Sequence, residues 1–418
     1  MAARDPLPPL GLYVHLPWCE RKCPYCDFNS HSATAIPEQE YVAALLIDLD
    51  DERSVIGERT VESIFIGGGT PSLFSESAIA SLLEGIRERA ALAPDCEVTL
   101  EANPGSAEAD RFAGYRAAGV NRLSIGVQSF DDDALERIGR VHDARAAHRA
   151  IEMAQAAGLV SINIDLMYGL PGQSVAGALA DVDQALAHRV THVSHYELTL
   201  EPNTLFHRFP PARPDEDALW EMHRAGLDRI EAAGFVRYEI SAYAEPDSRC
   251  RHNLNYWRFG DYVGIGAGAH GKATEPAFRA VQRSIKHRHP RRYLASSGPG
   301  GPGGQVARRG PVPATELPLE FMLNAARLLE GFPEDLFTAR TGLPLSAIEA
   351  PLARAQVLGL VHREAGIIRP TEQGTRFLNE LLLLFEPPER PGPAGTVGAP
   401  TGAENRARDH RGDGSSVL

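Results

Sequence analysis

The sequence predicts an α/β chain: a parallel sheet wrapped by helices, in barrel or incomplete-barrel form, followed by a smaller, mainly helical, winged-helix-like domain. Three observations carry this. Six short β-branched runs alternate with Ala- and Leu-rich helical patterns, which is the mark of βα units. The runs are nearly continuous in apolar residues, as in a sheet covered on both faces. A stretch with ten Gly or Pro in sixteen residues, 298–313, then separates this alternation from a second region of helical pattern. Six units favour a barrel; periodicity alone also allows a doubly wound sheet.

The elements follow in order. Strand-like runs lie at 12–16, 63–67, 97–101, 122–127, 161–166 and 192–198. Helical patterns fill 38–53, 77–89, 144–157 and 177–188 between them. A further helical stretch, 215–233, leads into an expected extra strand at 236–240. A Gly-rich segment covers 260–271. Residues 283–292 hold five Arg or Lys, two His and no acid. Beyond Glu316 come three helices, a small hairpin at 359–369 and a last helix at 372–385. The expected division is a barrel core at 1–240, a connecting segment at 241–315, a C-terminal domain at 316–386 and a tail at 387–418. The tail has eleven Gly or Pro in 32 residues, a composition that predicts disorder.

Composition narrows the function. The chain has 418 residues, a net charge of −13 and 43% hydrophobic residues, ordinary for a globular protein. An acidic chain is a poor bulk ligand for nucleic acid. The winged-helix-like region raises DNA binding again, but 316–386 has six Arg, no Lys and ten Asp or Glu, a net of −4. That surface repels phosphates, so no nucleic-acid partner is expected. No secretory signal or membrane-spanning run is read, and the cytoplasm is the expected location.

Five cysteines rule out a disulfide scaffold. Cys19, Cys23 and Cys26 fall within eight positions as C-x3-C-x2-C, directly after the first predicted strand. Three thiolates on one loop can bind three irons of a 4Fe-4S cluster and leave the fourth iron open. The competing reading is a structural zinc site completed by His15 or His31. Gly67-Gly68-Gly69-Thr70 follows the second strand, where glycines let backbone approach a ligand. Glu101, Gln128 and Asp165 sit at or near strand ends, and Arg140 lies in a GRVH loop. A carboxylate such as Asp165 inside an apolar strand is costly unless paired or functional.

The cysteine spacing is that of the radical S-adenosylmethionine (SAM) superfamily, which the chain resembles here. LYVHLPWCERKCPYCDFNSH, FIGGGTPS, EANPG, RLSIGVQSF, NIDLMYGLPGQ and HNLNYWRFGDYVGIGAGAHGK narrow the resemblance. Together they are similar to the oxygen-independent coproporphyrinogen oxidase group, most of all to its HemW branch, over about 10–385. The resemblance implies an incomplete (β/α)6 radical SAM barrel with a C-terminal domain. It implies a 4Fe-4S cluster on Cys19, Cys23 and Cys26, with SAM on the open iron. SAM contacts carried over by position are Tyr13, Gly68, Glu101, Gln128, Arg140 and Asp165, with Tyr25, Gly69 and Thr70 nearby. The true oxidase has a fourth cysteine where Phe28 stands here, and a longer arm before its motif. The HemW role is what remains: binding heme and passing it to acceptor proteins, respiratory membrane enzymes among them. His252, in HNLNYW, is the heme ligand this resemblance suggests; a hydrogen-bonded histidine in a packed aromatic turn is the alternative. His270 is a second candidate. Oxidative decarboxylation of coproporphyrinogen is the rival activity, and a homodimer is compatible with all of this.

Overall fold

The computed structural model describes residues 7–105, 110–275, 280–297 and 304–387. The disorder expected at 387–418 lies, but for its first residue, outside them. The six expected strands form: β1 (Leu10–Leu16), β2 (Val61–Gly68), β3 (Leu92–Ala102), β4 (Arg122–Gln128), β5 (Ser161–Tyr168) and β6 (His192–Glu197). They pair in parallel, each with the next. Helices α1 (Glu38–Asp51), α2 (Glu76–Arg89), α3 (Phe112–Ala118), α4 (Ala144–Ala156) and α5 (Val175–Ala187) make the crossovers. Ser75, Asp143 and Ser174 start α2, α4 and α5 by accepting a backbone N–H three residues on.

The strands alternate faces. Leu12, Val14, Ile64, Ile66, Leu100 and Ile164 are at most 1% exposed and pack with helix residues such as Leu45, Ile79 and Ile151. Phe65, Thr99, Glu101, Ser124, Asp165 and Ser194 face the interior of the curved sheet instead. The outer face is apolar because helices cover it; the inner face is polar because it surrounds a cavity.

The sheet stays open and continues at both edges. After β6, helix α6 (Glu216–Ala232) leads to short strands β7 (Val236–Arg237) and β8 (Ala242–Ala244), and β8 pairs antiparallel to β6. Helix α7 (Arg251–Trp257) precedes β9 (Asp261–Ile265), which returns parallel to β1. Then β10 (His270–Thr274), β11 (Val281–Lys286) and β12 (Val306–Pro311) extend this edge antiparallel. Among the described residues the order is β12-β11-β10-β9-β1-β2-β3-β4-β5-β6-β8-β7, an incomplete barrel. The residues expected to connect two domains are therefore woven into the main sheet. The basic run is woven in with them: fully buried Lys286 is ion-paired to Asp48 and Glu52, and Arg283 to Glu320.

The C-terminal unit has helices at Leu317–Ala325, Glu334–Thr341 and Ser346–Val357 and a small sheet whose hairpin is Val361–Glu364 with Ile367–Pro370. Phe321, Phe332 and Phe337 meet edge to face at its centre. The expected last helix is two pieces, Glu372–Arg376 and Leu378–Leu383, because Phe377 leaves the helical conformation (ψ 46°). Phe259 and Val281 of the barrel join this core, so the two units share apolar packing.

Candidate functional site

The cysteine loop leaves the C-terminal end of β1. Trp18–Cys19 pairs in parallel with His31–Ser32, pinching the loop at its base. Inside it, the Cys26 amide donates to the Cys23 carbonyl at 3.2 Å. Lys22 Nζ donates to the Phe28 carbonyl at 2.9 Å. Pro24 packs on Gly139, whose φ of +75° needs glycine. Three thiols thus face a common space under polypeptide control.

Glycines 67–69 serve this arrangement. A Cβ on Gly69 would lie 2.5 Å from the Trp18 carbonyl oxygen, so only glycine allows the two backbones to touch. The Gly69 and Thr70 amides donate to the Leu16 and Trp18 carbonyls. The Gly68 amide donates to Glu101 Oε2 at 3.1 Å. Asn103 Nδ2 donates to Thr70 Oγ1 at 3.1 Å, while Asn103 Oδ1 accepts from Arg140 Nη2 at 2.5 Å. Arg140 also donates to the Gly126 carbonyl at 2.7 Å and reaches Cys23 Sγ at 3.7 Å. Its Nε is buried and, among the described residues, has no hydrogen-bond partner. Asn103, two places after Glu101 in EANP, was invisible as a site residue; its polar character in a strand exit was the one available signal.

Electrostatics follow from burial. Burial, then repulsion from Asp165, raises Glu101 to about 7. Burial also raises Asp165, against hydrogen bonds from Asn163, Ser194 and Ser124. Burial pushes the Cys26 thiol up to about 11 and raises Cys19 as well. Gln128 takes φ +69°, a strained conformation for a non-glycine residue, and accepts from the Tyr196 hydroxyl at 2.7 Å.

Cys19, Cys23, Cys26, Tyr25, Gly68, Gly69, Thr70, Glu101, Gln128, Arg140 and Asp165 all line one cavity of about 830 Å³. This volume falls in the range of ligand sites. It runs from the cysteine loop down the sheet interior to the edge beside helix Leu317–Ala325. Two expected site residues are not among its lining residues, although Tyr13 lies on the same inner face as its register partner Phe65. Tyr13 stacks on Phe65, and its hydroxyl meets His15 Nδ1 at 2.9 Å. His252 is fully buried: Nδ1 bonds Ser63 Oγ at 2.8 Å and Nε2 the Tyr256 hydroxyl at 2.9 Å. The second heme candidate, His270, starts β10 opposite Ile285 of β11 and is not on the cavity lining either.

The donor set fits an iron–sulfur cluster and a cationic, carboxylate-bearing ligand. Three thiols, one of them within 3.7 Å of the Arg140 guanidinium, line the same cavity as the carboxylates of Glu101 and Asp165. His15 is unavailable to a closed zinc site: Nε2 donates to the Asn29 carbonyl at 2.9 Å, which leaves Nδ1 to accept from Tyr13. Among the described residues no helix is long and apolar enough to cross a membrane.

Comparison with known proteins agrees with this geometry. Residues 13–185 match the radical SAM superfamily, and 312–377 match the HemN C-terminal domain. The chain is 51% identical to heme chaperone HemW of Escherichia coli (strain K12), covering 91% of this chain and 98% of that one. It is 48% identical to heme chaperone HemW of Haemophilus influenzae, over 91% and 98%. In fold it is similar to coproporphyrinogen III oxidase (HemN) from Escherichia coli, with a TM-score of 0.76 at 21% identity, covering 92% and 91%. On its sequence and its fold together, the chain belongs to the HemW heme-chaperone family of radical SAM proteins.

Proposed function

We propose that the chain binds heme and delivers it to acceptor proteins, with a 4Fe-4S cluster and SAM as its resident groups. The observation that carries this reading is the 51% identity to a heme chaperone across 91% of the chain. The cavity supports it, because cluster loop, SAM wall and a long inner chamber are continuous.

In this reading Cys19, Cys23 and Cys26 hold three irons. Arg21, on the loop, donates to the Gly139 and Arg140 carbonyls and holds that turn against it, and Arg140 offers its unpaired Nε to a carboxylate. The backbone of Gly68, Gly69 and Thr70 lies beside the amino group of SAM. Glu101, fixed by the Gly68 amide, takes the ribose hydroxyls. Gln128, Asp165 and Tyr25 complete the wall, and Tyr13 stacks on Phe65 of the same inner face. When bound, cluster and SAM would supply one-electron chemistry. We assign the barrel core to 1–240, the connecting strands to 241–315 and the partner-docking unit to 316–386. Respiratory enzymes are the acceptors we favour, approached from the cytoplasm, where thiols stay reduced.

The test is a pair of anaerobic incubations of reconstituted protein. Loaded with heme, it should pass heme to an apo-heme protein. Given coproporphyrinogen, SAM and reductant, it should form no decarboxylated product. Multiple turnovers of decarboxylation with no heme transfer would instead make the chain a coproporphyrinogen dehydrogenase.

A further inference from the structure

Three histidines line the cavity: His192, His195 and His223. His192 has both nitrogens engaged, Nδ1 with Asn163 Oδ1 at 2.6 Å and Nε2 with the Tyr238 hydroxyl at 2.9 Å. The other two flank one tyrosine. The ring of His195, on β6, lies 4.7 Å from that of Tyr168, on β5. The Tyr168 hydroxyl meets His223 Nδ1, on α6, at 3.1 Å. His195 is 4% exposed, yet among the described residues its Nδ1 has no hydrogen-bond partner. His223 is half-buried, and among the described residues its Nε2 makes no hydrogen bond. Burial, then nearby Arg237, lowers His223 to about 4, so its ring is neutral at neutral pH. Trp220, one helical turn before His223, is 37% exposed, with its ring 5.8 Å away. A neutral histidine with one free nitrogen, its other nitrogen fixed by a hydrogen bond, is a common way to hold heme iron. Here Tyr168 makes that bond to His223, while Trp220 lies beside it under the Arg376 guanidinium at 4.2 Å. His252 has neither a free nitrogen nor access to the cavity.

Resting on the heme-binding reading above, we propose that His223 Nε2 is the axial ligand of the heme iron and that Tyr168 is its positioning residue. The neutral imidazole gives its Nε2 lone pair to the iron. Its Nδ1–H then donates to the Tyr168 oxygen, which fixes the tautomer. No electron or proton leaves the pair. His195 packs on the other side of Tyr168 and holds it in place. The heme would then share the cavity with the cluster, at the β5–β6 side rather than at the HNLNYW helix.

The experiment compares heme-loaded full-length wild type, His223→Ala, Tyr168→Phe and His252→Gln, each after cluster reconstitution. His223→Ala lies on a helix, where Ala is well tolerated; cluster absorbance checks its fold. The expected result for His223→Ala is a shifted Soret band that free imidazole returns to the wild-type position. Tyr168→Phe should weaken heme binding about tenfold, the scale of losing a second contact to a metal-bound histidine, without imidazole rescue. His252→Gln should keep the wild-type Soret position. A heme-loaded His223→Ala protein with the wild-type spectrum, indifferent to imidazole, would overturn the assignment while leaving the chaperone reading intact. Wild type that retains no heme would overturn both.

Discussion

A methyl group at Gly69 would meet the Trp18 carbonyl oxygen at 2.5 Å. The obstacle is backbone of the strand that begins the cysteine loop, so it cannot swing aside. Gly69→Ala should cost about 2 kcal/mol, in the range of overpacked sites, and should lower iron loading more than overall stability; iron content against melting temperature checks this. His252 makes the opposite case. Its two ring nitrogens tie Ser63 of β2 to Tyr256 of α7. His252→Leu keeps bulk but strands both hydroxyls, a loss of about 2–4 kcal/mol, with heme stoichiometry unchanged in the surviving protein. The cysteine spacing is conspicuous in the sequence by itself, whereas Glu101, Arg140 and Asp165 are singled out through the family resemblance; the structure brings all of them to one cavity. Sequence singles out His252 and His270 and passes over His223. His252 and His223 are both histidines near aromatics, and only the fold decides which nitrogens are already spent.

At the scale of elements, α7 closes one end of the barrel interior and starts without a cap of its own. Glu97 of β3 supplies one: its carboxylate accepts from the Arg251 and His252 amides, each at 3.1 Å. A carboxylate at a helix N-terminus satisfies free N–H groups and meets the positive end of the helix dipole. Glu97→Ala should therefore cost about 1–2 kcal/mol, seen as a lower urea midpoint with the main sheet intact. The six parallel strands were legible because their period is unbroken. Strands β9 to β12 were not. Gly264 and Gly271 sit where facing backbone or side chain leaves no room for a Cβ. Asp261 and Lys272 are buried charges paired at 2.9 Å. Glycine and charge inside a strand look like loop unless the partner strand is known.

The whole molecule buries several neutral histidines. Burial lowers His142, His195 and His252 to about 3. Each is thus favoured in its neutral form by the fold, so its contribution is present above the unfolded value near 6.5 and is lost as pH falls below it. Between pH 7 and 5 that is about 2 kcal/mol per histidine by linkage. Asp181 and Glu101 act in the opposite sense, since burial raises them to about 6 and about 7. Their protonation returns about 1–2 kcal/mol each over the same interval. Three histidines at about 2 kcal/mol each, against about 2–4 kcal/mol returned, leave a net loss of about 2–4 kcal/mol from pH 7 to pH 5. It is deepened by His15 and His223, which burial also lowers to about 4. Urea unfolding reads it, and constant or rising stability would contradict it. On the function proposed above, one continuous cavity equips this radical SAM barrel to carry heme. The most direct measurement of this is a heme titration of the anaerobically reconstituted full-length chain, followed by gel filtration. The account predicts one tightly held heme per chain alongside one 4Fe-4S cluster, and a chain that keeps its cluster but sheds all heme on the column would contradict it.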